Sequence, residues 1–266
     1  MTSARLTVTA ATVVLLSATT SGQWLNHPTP GTPRLPDGRA NLGATVPRTA
    51  DGKPDLSGVW DVVGDLVEPN HGRVRSKYVY DIAVDIPGGA PLQPWAKALQ
   101  NERRKAEGAG APTEHCLPHG IPDSMLTRTL PFKIVQGSGL TIILFEEFNN
   151  WRQVFTDGRA LPVDPQPAWL GYSVGRWEGD AFLVTTTGFN DRSWLDARGT
   201  PHSEALRVTE RFRRPDFGHM EIEFTFDDPK AFTKPWSVTT QFNLQPDTDL
   251  LEFHCDNEKW AARPRP

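Results

Sequence analysis

From about residue 131 onward, apolar and polar side chains trade places with a period of two, the rhythm of strands that bury one face. The alternation is most regular over 206–213, where Leu206, Val208, Glu210 and Phe212 share one face and Arg207, Thr209, Arg211 and Arg213 the other. It returns over 220–227, with Met220, Ile222, Phe224 and Phe226 opposite Glu221, Glu223, Thr225 and Asp227. Pairing these segments sets arginines against carboxylates on the outer face, a favourable cross-strand arrangement. Further strands are expected at 140–148, 151–156, 169–177, 181–187, 236–244 and 250–255, and earlier at 56–63 and 78–86. Glu178-Gly179-Asp180 reads as a hairpin connection and Gly137-Ser138-Gly139 as a turn. One helix interrupts the pattern over 93–107. Pro94 suits a first turn, Trp95, Ala98, Leu99 and Ala106 recur at helical spacing, and Gly108 and Gly110 end it.

About eight to ten sequential strands with one short helix predict a mainly β chain. A meander of this kind removes its edges by closing into an antiparallel up-and-down barrel of the lipocalin-like type, with a two-sheet sandwich as the alternative. Around eight strands leave an interior that is either filled by side chains or holds one small ligand.

The ends of the chain add a division into parts. Arg5, an apolar run over 6–16 and small residues after it make residues 1–22 a secretory signal peptide, cleaved near Ser21 or Gly22. The run is too short for a bilayer span, which takes about 20 residues, so a soluble product without a membrane span is expected in the periplasm or outside the cell. Residues 23–56 form a Pro- and Gly-rich arm with an internal echo. Pro33-Arg34-Leu35-Pro36-Asp37-Gly38-Arg39 returns fourteen residues on as Pro47-Arg48-Thr49-Ala50-Asp51-Gly52-Lys53, two Asp-Gly turns on an extended strap or spacer. Residues 57–266 are then a single β domain. Cys116 and Cys255 are the two cysteines, and in an oxidising compartment a disulfide is the default, closing a loop long enough to stabilise by about 4–5 kcal/mol. Five groups, His115, Cys116, His119, His254 and Cys255, offer a metal site instead, but their spacing fits no zinc pattern and no metal is expected.

A net charge of −4 with scattered Lys and Arg lacks the basic face that nucleic acid needs. Nine Trp and 13 Phe suit a β core or an aromatic-lined cavity. No serine-hydrolase elbow, Gly-rich phosphate loop or His-Glu-x-x-His zinc signature is read, and no cofactor is expected.

Candidate chemistry gathers in residues 188–203, a long irregular stretch leading into Glu204. Long loops in compact domains tend to be functional or disordered, and Phe189, Trp194 and Leu195 argue against disorder. Asp191 and His202 are the candidate bases and Arg192 an oxyanion partner, because imidazole titrates near neutrality and a carboxylate can fix its tautomer. Trp151, Arg152, Asn190, Trp194, Asp196, Glu204 and Glu210 are candidate ligand contacts. Set against this, Asn and Asp commonly cap turns, Arg192 can pair with Asp196, and His202 can be a solvated residue. Glu210 falls on the apolar face. It is either a polar anchor in a cavity or half of a structural ion pair, with Arg152 as the partner.

The stretches PDLSGVW (54–60), CLPHGIP (116–122), PFKIVQ (131–136), WLGYSVGRWEGD (169–180), GFNDRSWLD (188–196), HSEALRVTERFRR (202–214) and DDPKAFTKPW (227–236) resemble a large family of exported bacterial proteins of unassigned function. The resemblance spans most of residues 50–260 and implies export and a lipocalin-like or related β architecture. Three functions remain open: an exported barrel binding a small apolar or aromatic molecule, a cofactor-free acid–base enzyme (lyase, isomerase or hydratase) using the 188–204 loop, and an envelope interaction protein using the arm.

Overall fold

A computed structural model describes residues 27–63, 66–67, 75–127, 130–253 and 255. The expected leader (1–22), the start of the arm and His254 lie outside the described residues.

Nine strands close a barrel: β1 (Gly58–Val63), β4 (Phe132–Gln136), β5 (Leu140–Phe145), β6 (Trp151–Phe155), β7 (Tyr172–Glu178), β8 (Ala181–Thr187), β9 (Arg207–Arg213), β10 (His219–Asp227) and β11 (Trp236–Leu244). The ring runs β1-β11-β10-β9-β8-β7-β6-β5-β4 and closes β4 onto β1. Two-residue strands β2 (Leu66–Val67) and β3 (Arg75–Ser76) form a separate ribbon. The chain is mainly β, as its alternation predicts. It is not antiparallel throughout, however. An odd-membered ring cannot alternate direction all the way round, and the break falls at β6·β7, which pair in parallel with only Val154↔Ser173 and Phe155↔Val174 in register. The 156–171 connection produces it by carrying the chain back before β7 starts.

The expected opposition of arginines and carboxylates is seen where alternation is strictest. Arg213 faces Glu221, Arg211 faces Glu223 and Arg207 faces Asp227 across β9·β10. Inward from that face, Trp60, Phe132, Phe212, Met220, Ile222, Phe224, Phe226 and Phe242 are almost wholly buried and belong to one apolar cluster. Aromatic bodies of this size occupy a nine-strand lumen with side chains.

Two expected strands are corrected. Residues 78–86 form the short helix α1 (Lys77–Tyr80) followed by turns. Its buried positions Val79, Ile82 and Ala83 are spaced by three and one, a helical rather than a two-residue repeat. Over 250–255 the described residues carry no strand. The ring is already closed, and the backbone there is bonded by side chains instead: Leu251 N donates to Glu146 Oε2 at 2.8 Å and Phe253 N to Asn149 Oδ1 at 3.3 Å. The helix over 93–107 is α2 (Pro94–Lys105), but its buried face is Ala96 and Gln100, with Trp95 and Ala98 exposed. It docks through Gln93 N to Ala231 O (2.8 Å), the Trp95 indole to Lys230 O (2.7 Å) and Gln100 Nε2 to Thr200 Oγ1 (2.7 Å). A further short helix, α3, spans Asp123–Leu126.

The echo in the arm is a repeated structure. Leu35 N to Arg39 O and Thr49 N to Lys53 O close equivalent loops, at 2.8 and 2.9 Å. In each, the first arginine bonds its own loop's glycine carbonyl, Gly38 or Gly52, and reaches a carboxylate on the barrel, Asp247 for Arg34 and Asp180 for Arg48. Between the loops, Gly218 N donates to Leu42 O and Phe217 N to Ala44 O, so residues 27–56 lie against the barrel as a strap. Cys116 and Cys255 form a disulfide. The metal alternative that used their thiolates falls with it. No helix of the described residues is long and apolar enough to cross a membrane.

Candidate functional site

Arg152 and Glu210 meet inside the barrel. Both inward side chains are buried, Arg152 Nη1 donates to Glu210 Oε1 at 2.9 Å, and Nη2 donates to Oε2. Arg152 also donates from Nε to Ser173 Oγ (2.9 Å) and from Nη2 to Thr186 Oγ1 (2.5 Å). Each of the three guanidinium nitrogens donates to an acceptor, which helps to keep a charge in an apolar interior. Glu210 is therefore half of an ion pair, engaged on both oxygens. Gly171-Tyr172-Ser173-Val174-Gly175 does spell Gly-x-Ser-x-Gly, which corrects the expectation that no such string occurs. A nucleophile elbow is a sharp strand-to-helix turn, whereas Ser173 lies within β7, buried, with its Oγ bonded to Arg152 and Thr186.

The 188–204 loop is ordered around Asp196. This fully buried carboxylate accepts from Thr200 N (3.0 Å), Thr200 Oγ1 (2.7 Å) and Ile82 N (3.1 Å). Burial raises its pKa, these hydrogen bonds pull it back, and the balance leaves it at about 7. Among the described residues, Asp196 pairs with no arginine, Arg192 included. Arg192 lies on the surface over Trp169, its guanidinium carbon 5.0 Å from the ring centroid.

His202 is buried rather than solvated. Its Nδ1–H donates to Ser203 O at 3.1 Å, leaving Nε2 to accept from Ser193 Oγ at 2.8 Å. Burial lowers its pKa, against weaker pulls from the Ser203 carbonyl, Asp228 and Asp191, so the imidazole is neutral at pH 7. Asp191 and Glu204 are exposed, and Asn190 caps the turn by accepting from Arg192 N at 3.1 Å. Trp151 points outward from β6, 57% exposed. The sequence candidates therefore divide into an interior pair (Arg152, Glu210), a buried loop scaffold (Asp196, His202), isolated surface groups (Asp191, Asn190, Glu204, Trp151) and two residues that share a cleft.

That cleft, about 470 Å³, contains Arg192 and Trp194. Helix α2 adds Leu99, Arg103 and Ala106, the 156–171 connection adds Trp169, and the segment around the disulfide adds His115 and Leu117. Arg103 packs over Trp194 at 4.6 Å, donates to Gly199 O at 3.1 Å, and lies flush on Gly199, where an added Cβ would stand 2.6 Å from Arg103 Cβ. Gly199 also takes φ +80°, a left-handed conformation that L side chains rarely adopt. Arg103 and Trp169 escaped the sequence reading, and His115 was weighed only as a metal ligand, because the three come from segments separate from the loop. Only the helical spacing of Leu99, Arg103 and Ala106 hinted at a shared face.

A second group also escaped it. His119 Nδ1 donates to Asp123 and Nε2 to Glu147 Oε1 at 3.0 Å, while the ring stacks on Phe148 with centroids 5.8 Å apart. Burial disfavours the imidazolium, but the two carboxylates outweigh it and raise the pKa to about 10. The i, i+4 spacing of His119 and Asp123 was the available signal; Glu147 is distant in sequence.

The chain matches no protein-family model, and no curated protein or solved structure is significantly similar to it.

Proposed function

We propose that this is an exported binding protein that takes a small, flat, apolar or aromatic molecule in the cleft between α2, the 109–117 segment and the 188–204 loop. The observation that carries the reading is the presence of Trp169 and Trp194 in one concavity of about 470 Å³, within the size range of small-molecule sites. Trp169 is half-buried, so its ring combines a fixed position with surface left to cover. Leu99, Ala106 and Leu117 supply apolar walls around the two indoles. Export is supported by the apolar N-terminal run and by the disulfide, which persists in oxidising compartments. In this reading the barrel is the scaffold and the ligand sits outside it, because the lumen holds aromatic side chains and the Arg152–Glu210 pair.

Calorimetric titration of the processed protein with planar bicyclic aromatics, repeated on Trp169→Ala, tests the reading. Binding that weakens roughly tenfold in the variant is expected from the loss of one stacking partner. Absence of binding by every such probe, or binding indifferent to Trp169, overturns it.

A further inference from the structure

Two clefts of this protein differ in how their arginines are engaged. In the neighbouring cleft of about 380 Å³, Arg198 and Arg104 both reach Asp81, at 3.1 and 3.6 Å, and Lys77 reaches Asp85 at 3.0 Å. The Trp169–Trp194 cleft differs. Among the described residues, neither Arg103 nor Arg192 makes an ion pair, although both line it. Arg103 is held between the Trp194 ring and the Gly199 backbone, and its one hydrogen bond, to Gly199 O, uses Nη1. No atom of Arg103 is both buried and unpartnered, so its remaining donors are open to the cleft, where an incoming acceptor can meet them. Burial lowers its pKa, with Asp196 and Glu102 acting only from a distance. Glu102, exposed on the cleft rim, is the acidic group among the lining residues and reaches neither arginine.

Both guanidiniums lie against indole faces. An anion accepting from them would bring the planar body attached to it alongside Trp169, the less buried of the two indoles, since Arg offers forked donors that match a carboxylate in its own plane.

We infer that the cleft selects planar aromatic carboxylates, with Arg103 and Arg192 receiving the carboxylate and the half-buried Trp169 indole receiving the ring, while the buried Trp194 backs Arg103. This rests on the proposed binding function and narrows its ligand class.

The test compares naphthalene-2-carboxylate with naphthalene-2-carboxamide, which keep one ring system and differ in charge, by calorimetry on the wild-type processed protein, Arg192→Gln and Arg103→Gln. The expected result is at least tenfold tighter binding of the carboxylate to wild type, with the preference collapsing in both variants. Arg192 is exposed, so its variant folds whatever happens to Arg103. Equal affinity for the two probes, or a preference that survives in Arg192→Gln, overturns the inference while leaving the aromatic-binding function standing. If neither probe binds, both readings fall.

Discussion

Arg152 on β6 and Glu210 on β9 form a two-bonded ion pair in the barrel interior, 58 residues apart in sequence and shielded from water. Removing one partner leaves the other charged in an apolar environment, which costs about 3–5 kcal/mol. Glu210→Ala or Arg152→Ala should therefore lower the urea midpoint severely. The pair Arg152→Met with Glu210→Leu should recover most of that loss, because well-packed apolar replacements of a buried ion pair are often neutral. A double variant as unstable as either single variant would contradict this account.

His202 is buried and faces Ser193 and the Ser203 carbonyl. Its replacement by alanine strips buried hydrogen-bonding groups of their partner, at about 1–3 kcal/mol. Chemical denaturation of His202→Ala should show that loss, with aromatic binding weakened only as far as the 188–204 loop loosens. Undiminished stability would return the imidazole to the list of groups available for acid–base chemistry.

His119, clasped by Asp123 and Glu147, makes stability depend on alkaline pH. Its folded pKa of about 10 exceeds the ordinary 6.5, so the folded state binds the proton more tightly than the unfolded chain. The stabilisation is fully present below about 6.5 and is lost as pH rises through 10. Denaturation midpoints of wild type should therefore fall faster between these pH values than those of His119→Gln. Parallel curves would show that the clasp does not hold a charged imidazole.

Most of the barrel was legible because one-sided burial imprints a two-residue period on sequence. The alternation alone pairs the β9·β10 arginines with carboxylates and offers Arg152 as the partner of Glu210. What escaped has physical causes. β4 (Phe132–Gln136) is short and carries Val135 exposed on its outer face, so its pattern is weak. Residues 78–86 are apolar enough for a strand, but their burial follows a helical turn. The parallel pair depends on where the 156–171 connection lands, which no local pattern records. In the site, Trp194 and Arg192 were found because they share a loop with other chemistry-bearing residues. Arg103 and Trp169 were not, because a cleft assembled from separate segments exists only after tertiary packing. The solvated alternative weighed for His202 fails because a lone imidazole before a strand gives no sign of the buried serine that meets it.

The seam between β6 and β7 has two residue pairs in register, fewer than any other junction of the ring. Arg152 stands on one side of that junction and Ser173 on the other, while Thr186 and Glu210 follow on the next two strands. The interior charge cluster thus works as a rivet, fastening four staves of the wall where main-chain stitching is thinnest. An apolar plug could fill the same volume, but it would offer no directional bond to stop the two staves from sliding past each other.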